Sequence, residues 1–327
     1  MIYKDRVYGP IEINEQILLE LIASPSLQRL KDIDQAGYSE PFFPGTGHAR
    51  FEHSLGVMIL LKKFGADLEE QVAGLIHDVS HSVFSHSIDY ILEEGSEKKH
   101  DHQDNIFSDF VRNSEIPKIV EKYNIDLDYI LEEANFPLKE KELPDLCADR
   151  IDYSLRETLT YGTGDSRLVK LFLDNLVANN NSWIFKNFET AQKFADNFNI
   201  LNSKFYAGSR TALMFRTAGD CLKYALNKGY ITKDDLYTTD SQVLEKIKKE
   251  LSADERLKLF YDRMHNKKKI NNNPENFDVE VYCKSRVVNP LCFNRGKLMR
   301  ISDINPAWKK VFKTEQKPKK YFLKFEE

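Results

Sequence analysis

The spacing of apolar residues predicts helices along most of this chain. Between Asn14 and about Gly37 the apolar positions recur mostly at helical intervals. Ser24-Pro25 divides that stretch into two helices, because proline is suited to the first turn of a helix. The same periodicity predicts further helices over residues 51–64, 68–78, 87–92, 103–112, 117–123, 143–161, 166–179, 189–199, 203–227 and 240–251. Because alternating apolar segments are scarce, the sequence predicts a mainly α fold arranged as a helical array.

Strand-like patterns are confined to the two ends of the chain. Residues 2–13 contain short β-prone pieces broken at Gly9-Pro10, which predict a strand or a hairpin. The segment 93–100 is acidic and contains lysines, as is typical of an exposed loop. After a polar stretch near 266–276, short β-rich runs follow at 277–282, 296–301 and 320–325. We therefore expect a helical body over residues 1–265 and a small C-terminal α+β lobe over residues 266–327.

Composition and charge narrow the class of protein. With 327 residues, 41% hydrophobic and 30% charged, the chain has the composition of an ordinary soluble globular protein. No apolar run approaches the roughly 20 residues of a membrane span, and the first residues lack the apolar core of a signal peptide. Four scattered cysteines fit a reducing cytoplasm, where we expect the protein to reside. The net charge of −4 makes nucleic-acid binding an unlikely role, so an anionic substrate needs a local binding cluster.

Histidines are concentrated in one part of the sequence. Seven of the eight fall between residues 48 and 102, and a further acid follows on a predicted helix at Asp149. A set of His53, His77, Asp78 and Asp149 mixes imidazole with carboxylate, which suits Mn, Fe, Co, Ni or Zn better than Mg or Ca. Four protein ligands around a six-coordinate ion would leave two positions for water and a substrate oxygen. The pattern predicts a metal-dependent phosphohydrolase with one divalent transition metal.

A purely structural interpretation stays open for each of these residues. Buried imidazoles that hydrogen-bond to carboxylates are ordinary features of protein cores, and a lone His-Asp pair occurs often by chance. The joint pattern of His53, His77-Asp78, His81, His86 and Asp89 within one short segment favours the metal site.

Several motifs in a fixed order resemble those of a known family. The segments that carry the resemblance are Arg50-Phe51-Glu52-His53, Ala73-Gly74-Leu75-Ile76-His77-Asp78, His81 with Phe84-Ser85-His86, and Asp149-Arg150-Ile151-Asp152-Tyr153. They are similar to the HD-domain superfamily of metal-dependent phosphohydrolases, and in particular to its deoxynucleoside triphosphate triphosphohydrolases. That branch contains bacterial dGTPases and the sterile-alpha-motif HD enzyme of animal cells. The likeness covers roughly residues 4–165 well and 200–228 weakly.

The resemblance implies a role for each residue of the candidate site. It makes His53, His77, Asp78 and Asp149 the metal ligands. It also implies that the phosphates are contacted by Arg50, His81, His86 and Arg150. His102 becomes the general acid that protonates the leaving 5′-oxygen, with Asp89 orienting it, while His100 competes for that role. Sugar and base contacts are implied for Gln35, Tyr153 and Glu157. The structural alternatives are a core tyrosine for Tyr153, an exposed glutamate for Glu157 and a surface ion pair for Arg150, and a purely structural role stays open for Gln35.

The chain departs from the family pattern at several positions. Ser80 and Ser82-Val83 replace family glycine and proline positions, and Met214 aligns with a tyrosine that recognises the sugar. These changes leave the preferred base and sugar open. Tyr206, Arg210 and Arg216 could add an aromatic and basic wall, or could be ordinary helix-surface residues.

The function expected from the sequence is hydrolysis of (deoxy)nucleoside triphosphates to nucleoside and tripolyphosphate. A nucleotide is thus the expected substrate, and Mg on its phosphates is a further candidate cofactor. A homo-oligomer of two or more copies is the expected assembly. Two alternatives remain. One is hydrolysis of another phosphate ester, such as a nucleoside mono- or diphosphate, a cyclic nucleotide or an alarmone. The other is a catalytically silent module that senses nucleotide.

Overall fold

Helix α3 (Arg50–Lys63) lies in the centre of the protein, and its sequence explains why. From Phe51 to Leu61 only Glu52 keeps partial exposure, and a helix that is buried on nearly every side needs packed neighbours all around it. Its side chains divide between two hydrophobic clusters. Leu55 and Met58 belong to one cluster, whereas Val57 and Leu60 belong to the other. α3 is therefore shared by both parts of the core.

The computed structural model describes residues 1–91, 98–99, 101–179 and 181–326. The helices within these ranges are α1 (Gln16–Ala23), α2 (Pro25–Arg29), α3, α4 (Leu68–Ile76), α5 (His102–Arg112), α6 (Ile116–Lys122), α7 (Leu127–Leu131), α8 (Ala148–Thr160), α9 (Ser166–Asp174), α10 (Phe188–Leu201), α11 (Ser209–Asn227), α12 (Asp240–Glu250), α13 (Glu255–Met264), α14 (Ile301–Ile304) and α15 (Pro306–Glu315). Short 3₁₀ turns span Leu30–Asp32, Ser85–Tyr90, Glu133–Asn135 and Asp234–Tyr237, and a π-helical turn spans Asn202–Tyr206.

The strands form three small sheets. They are β1 (Ile2–Asp5), β2 (Gly9–Glu12), β3 (Leu176–Asn179), β4 (Ser182–Phe185), β5 (Ile270–Asn272), β6 (Val279–Cys283), β7 (Leu291–Asn294), β8 (Lys297–Arg300) and β9 (Lys319–Phe325). β1 and β2 form an antiparallel hairpin, and β5, β9 and β6 form an antiparallel sheet in that order. The third sheet has the order β3-β4-β7-β8, with β4 parallel to β7.

The expected fold class, mainly α with a small C-terminal α+β lobe, is confirmed. The predicted division at residue 265 stays a prediction, and the β4–β7 pairing makes one sheet from strands on both sides of it. Several predicted helices differ from the structure: α11 begins at Ser209 after the π-helical turn rather than at residue 203, and the 3₁₀ turn Ser85–Tyr90 occupies most of the helix predicted over 87–92. The helix expected over 143–161 begins at Ala148, because the amide groups of Ala148 and Asp149 bond to the carbonyls of Leu138 and Lys139 in the preceding loop.

The helix expected over 166–179 ends at Asp174, and residues 176–179 form β3 instead. Leu176 and Val177 continue the apolar pattern, but they pair with Phe185 and Ile184 in a hairpin. Asn181 in its turn has a φ of 60°, a conformation that asparagine tolerates better than most residues. The predicted loop 93–100 lies outside the described residues, except for Lys98 and Lys99.

No helix within the described ranges combines the length and the apolar character that crossing a bilayer requires.

A buried ionic network joins the N-terminal hairpin to α8. The Arg156 side chain has 0% exposure, and its Nη2 donates to Asp5 Oδ2 at 3.1 Å and to Asp152 Oδ1 at 3.0 Å. The Tyr8 hydroxyl donates to the same Asp152 oxygen at 2.8 Å. Gly56 on α3 faces this network so closely that a Cβ atom there would overlap both Asp152 and Arg156. The absence of a side chain at Gly56 lets α3 and α8 approach.

We expect Gly56→Ala to lower the free energy of unfolding by about 1–3 kcal/mol, because the added methyl group must displace a buried ion pair. Urea unfolding measures the change. Gly47→Ala is the matched control, since the nearest atom to its added Cβ is 3.4 Å away. Equal stability of the two variants would contradict the close approach of α3 and α8.

Candidate metal centre

Three elements bring His53, His77 and Asp149 together. His53 lies in the first turn of α3, His77 follows the last residue of α4, and Asp149 lies in the first turn of α8. Asp149 Oδ1 is 2.9 Å from His53 Nε2 and 3.6 Å from His77 Nε2, and the two Nε2 atoms are 3.2 Å apart. One potential ligand atom from each residue lies within 4.8 Å of the others. The three side chains converge on one small volume.

Asp78 is the fourth predicted ligand and lies beside this group. Its Oδ1 is 3.5 Å from His77 Nε2, and its Oδ2 is 3.9 Å from His53 Nε2. Arg50 Nη1 donates to Oδ2 at 2.6 Å. Burial opposes ionisation of this carboxyl group, but Arg50 and His77 hold the pKa of Asp78 well below its usual range. Asp78 is therefore a charged carboxylate at the edge of the cluster.

The hydrogen bonds of the two imidazoles leave their Nε2 atoms facing the cluster. His77 Nδ1 donates to the carbonyl oxygen of Gly74 at 2.8 Å, and His53 Nδ1 lies 2.8 Å from Asp152 Oδ2. A proton fixed on each Nδ1 leaves the Nε2 lone pair available, which is how metal-binding histidines are commonly held. The residues present therefore fit a divalent transition metal in ligand type and in ring orientation.

Negative charge dominates the place where a cation would bind. Burial alone would lower the pKa of His53, but hydrogen bonds to Asp149 and Asp152 raise it to about 10. Burial opposes ionisation of Asp149 as well, yet His53 and His77 lower the pKa of Asp149 well below its usual range. Without a metal the proton on His53 balances these carboxylates, and a divalent cation would compete with it.

Two residues of the cluster keep some contact with solvent. The His53 side chain is 1% exposed, whereas His77 retains 12% and Asp149 retains 23%. A small anion or a water molecule can therefore reach the cluster past His77 and Asp149.

Arg50 and His81 lie on the Asp78 side. Arg50 is 2% exposed and uses three nitrogens: Nε donates to Ser85 Oγ, Nη1 to Asp78, and Nη2 to the Gln35 carbonyl oxygen. His81 Nε2 is 3.3 Å from Asp78 Oδ1. Burial, followed by repulsion from Arg50, lowers the pKa of His81 to about 4, so His81 is neutral at pH 7.

His86, Asp89 and His102 form a second group next to His81. The His81 and His86 rings are 5.3 Å apart, and His86 Nδ1 is 3.4 Å from Asp89 Oδ2. Asp89 Oδ1 accepts the backbone N–H of His102 at 3.0 Å, and His102 Nε2 is 3.0 Å from the Tyr237 hydroxyl. The Asp89 side chain is thus hydrogen-bonded to the backbone of His102. His100 lies outside the described residues.

The Arg150 side chain is held by the loop before α8. Its Nη1 donates to the carbonyl oxygens of Lys141 and Asp145, and its Nη2 is 3.5 Å from Glu140 Oε1. Glu140, Cys147 and Asp149 could also group around a cation. Cys147 Sγ instead donates to Glu140, and it accepts the Arg150 backbone N–H.

Of the predicted sugar-contacting residues, Tyr153 lies near His53, whereas the backbone of Gln35 contacts Arg50. The Tyr153 ring is 6.3 Å from the His53 ring and 5.6 Å from the Tyr206 ring. Glu157 is 4% exposed, and burial raises its pKa to about 7. Gln35 is 9% exposed, and its side-chain oxygen has no hydrogen-bond partner among the described residues.

Tyr206 joins this aromatic surface, whereas Arg210 and Arg216 contact other groups. Arg210 Nη1 donates to the Phe42 carbonyl oxygen, and Arg216 pairs with Asp220 at 2.8 Å.

Sequence reasoning did not identify Asp152 as the residue that orients His53. The available signal was its position three residues after Asp149, which places both acids on one side of a helix. That spacing does not reveal whether the second acid faces an ion or an imidazole.

Comparisons with known proteins identify a matching family and several relatives. Residues 50–156 match the family model described as HD domain. The chain is 33% identical over 308 residues to the uncharacterised protein YdhJ of Bacillus subtilis, covering 94% of this chain and 93% of that protein.

Two further relatives carry functional names. The chain is 38% identical to the metal-dependent phosphohydrolase cns2 of Cordyceps militaris, over 50% of this chain and 46% of that one. It is 32% identical to the deoxynucleoside triphosphate triphosphohydrolase SAMHD1 of Gallus gallus, over 42% of this chain and 26% of that one. The chain thus spans less than half the length of each of these two relatives.

A solved phosphohydrolase from Bacteroides thetaiotaomicron shares the fold along the whole chain. Its TM-score is 0.72 at 17% identity, and the alignment covers 100% of both chains.

We expect Asp152→Asn to weaken binding of Mn²⁺ by about 10–100-fold, because the amide no longer fixes the proton on His53 Nδ1. Isothermal titration calorimetry with MnCl₂ measures the affinity. Tyr8→Phe is the control, since it removes another hydrogen bond of Asp152 and leaves His53 in contact. Urea unfolding shows whether both variants are folded, and a folded Asp152→Asn protein with unchanged Mn²⁺ affinity would contradict this role.

Proposed function

The chain belongs to the HD-domain superfamily of metal-dependent phosphohydrolases, near the deoxynucleoside triphosphate triphosphohydrolase branch, and we propose that it hydrolyses (deoxy)nucleoside triphosphates to nucleoside and tripolyphosphate. The observation that carries the proposal is the convergence of His53, His77 and Asp149, with Asp78 beside them. The named relatives support the reaction class.

The proposed metal ligands are His53, His77, Asp78 and Asp149, and Mn, Fe, Co, Ni or Zn are the candidate ions. An ion held there would supply a Lewis acid for the phosphoryl oxygens and an activated water. The chain prepares the site by fixing the Nδ1 proton of each histidine, and Arg50 holds Asp78 in its charged form.

Phosphate contacts are assigned to Arg50, His81, His86 and Arg150. His81 is neutral, so it binds phosphate as a hydrogen-bonding imidazole without adding charge. Arg50 is proposed to contact phosphate through the N–H groups that it does not use to bind Ser85, Asp78 and Gln35. Arg150 contributes positive charge from the loop before α8.

His102 is the proposed general acid, and Asp89 positions it by accepting its backbone N–H. Expulsion of a sugar 5′-oxygen creates a strongly basic alkoxide, so a proton donor with a pKa near neutrality lowers the barrier. Tyr153 is the proposed surface for the sugar. Glu157 and Gln35 are proposed to bind sugar or base groups, since each keeps a buried side-chain oxygen without a hydrogen-bond partner in the part of the chain that the structure describes.

The proposal predicts release of tripolyphosphate when the purified protein is incubated with a nucleoside triphosphate and a transition metal. A panel of the four deoxynucleotides and four ribonucleotides with Mn²⁺, Co²⁺, Ni²⁺ or Zn²⁺ tests this, with products separated by ion-exchange chromatography. Release of orthophosphate instead would mean cleavage of a phosphoanhydride bond rather than of the bond to the nucleoside, and would contradict the proposal.

We expect His77→Ala to lower the rate at least about 100-fold, because it removes one ligand of the ion. His265→Gln is the matched control: this histidine lies outside the segment that holds the cluster and contacts Tyr38 and Tyr261. Equal hydrolysis rates for wild type and His77→Ala would contradict a mechanism that uses a metal at this site.

A further inference from the structure

Two basic residues of the C-terminal lobe follow β6 and approach the helical body. Lys284 and Arg286 are both half-buried, and they flank the buried residue Ser285. The sequence alone gives them no role, because they belong to no motif of the HD pattern.

The backbone around them is fixed to the π-helical turn Asn202–Tyr206. The Asn202 side chain has 0% exposure, its Oδ1 accepts the Arg286 backbone N–H at 2.8 Å, and its Nδ2 donates to Ser285 Oγ at 3.0 Å. The same Nδ2 lies 3.1 Å from Glu315 Oε2. These bonds hold the segment in one place, so the positions of both cations are built into the fold.

Neither cation has a carboxylate partner. Within the part of the chain that the structure describes, no acidic oxygen lies within 4.0 Å of the Lys284 ammonium or the Arg286 guanidinium. Burial, followed by repulsion from Arg286, lowers the pKa of Lys284 to about 8; attraction to the more distant Asp104 and Glu140 opposes this shift, and Arg150 adds to the repulsion. Half-buried cations that repel one another are costly unless an anion joins them.

Arg286 is connected to the candidate metal centre through its aromatic surface. The Arg286 guanidinium carbon is 6.0 Å from the centre of the Tyr206 ring. The centre of the Tyr206 ring is 5.6 Å from that of the Tyr153 ring, and the centre of the Tyr153 ring is 6.3 Å from that of the His53 ring. Burial raises the pKa of Tyr153 and that of Glu157, and the positive charge of Arg286 opposes both shifts. Arg286 is therefore separated from His53 by two rings, and the charge of Lys284 interacts with that of Arg150.

We propose that Lys284 and Arg286, together with Arg150, bind the phosphates of a polyphosphorylated nucleotide that lie beyond the reacting phosphate. The inference rests on the proposed function, because it assigns a subsite to the same substrate. A single phosphate at the cluster is within reach of His81 and the metal ligands, whereas a chain of phosphates carries more negative charge and extends further. Three cations from two separate segments match such a chain better than they match a sugar or a base.

Binding of inorganic tripolyphosphate tests this subsite without requiring turnover. Isothermal titration calorimetry is carried out on the full chain with Mn²⁺, for Lys284→Gln, Arg286→Gln and the double variant. We expect each single change to weaken tripolyphosphate binding about tenfold and the double change about 100-fold, because each removes a charge-assisted contact. Binding of inorganic orthophosphate should change less than about twofold, because it needs only the metal side of the site.

Lys309→Gln is the matched control, since Lys309 is an exposed lysine of the same lobe on α15. The charge-conserving variants Lys284→Arg and Arg286→Lys should stay within about threefold of wild type. Wild-type tripolyphosphate affinity should also fall with added salt, while orthophosphate affinity changes less. These two measurements decide the matter even where a glutamine variant fails to fold.

Unchanged tripolyphosphate binding in the folded double variant would overturn the inference, as would an equal loss in Lys309→Gln or an equal loss for orthophosphate. Each of these results leaves the proposed reaction standing. Conversely, a protein that fails to release tripolyphosphate from any nucleotide yet loses tripolyphosphate affinity in the double variant would refute the reaction and retain the subsite.

Discussion

The carboxylate of Asp152 is the point on which the rest of the structure depends. One of its oxygens lies against His53 Nδ1, and both accept hydrogen bonds from the fully buried Arg156, which also binds Asp5. The same group therefore connects α3, α8 and the N-terminal hairpin, and it orients the imidazole that faces the candidate metal centre. A buried charge is tolerated only when its partners are complete, so the packing of three elements and the orientation of one ligand are coupled.

Much of the site follows from the sequence because few residue types can bind a transition metal. His53, His77 and Asp149 are far apart in sequence, yet their chemistry and the helical periodicity around them were enough to predict that they meet. The direction of a long side chain is less predictable. Arg50 matches a phosphate-binding arginine, but the structure shows it donating to Asp78, Ser85 and a backbone carbonyl. Arg150 likewise binds loop carbonyls that no helical pattern could reveal.

Non-local pairing explains the main differences in the fold. Residues 176–179 keep a helical apolar pattern, but a hairpin partner and then a strand more than 100 residues later stabilise them as β3. Lys284 and Arg286 pose the same difficulty: their approach to the site depends on Asn202, which is distant in sequence. Single-sequence patterns report local preference and ligand chemistry, whereas these features arise from contacts between remote segments.

The parallel pairing of β4 with β7 has a consequence for any attempt to isolate the helical body. Cutting the chain at the polar stretch near residue 266 would strip β7 from β4 and leave a row of unsatisfied backbone groups beside Trp183, Ile184 and Phe185, all of them buried in the intact protein. An exposed, apolar sheet edge of this kind pairs with strands of other molecules. We expect the excised body to self-associate, because in the intact protein β7 covers this edge of β4.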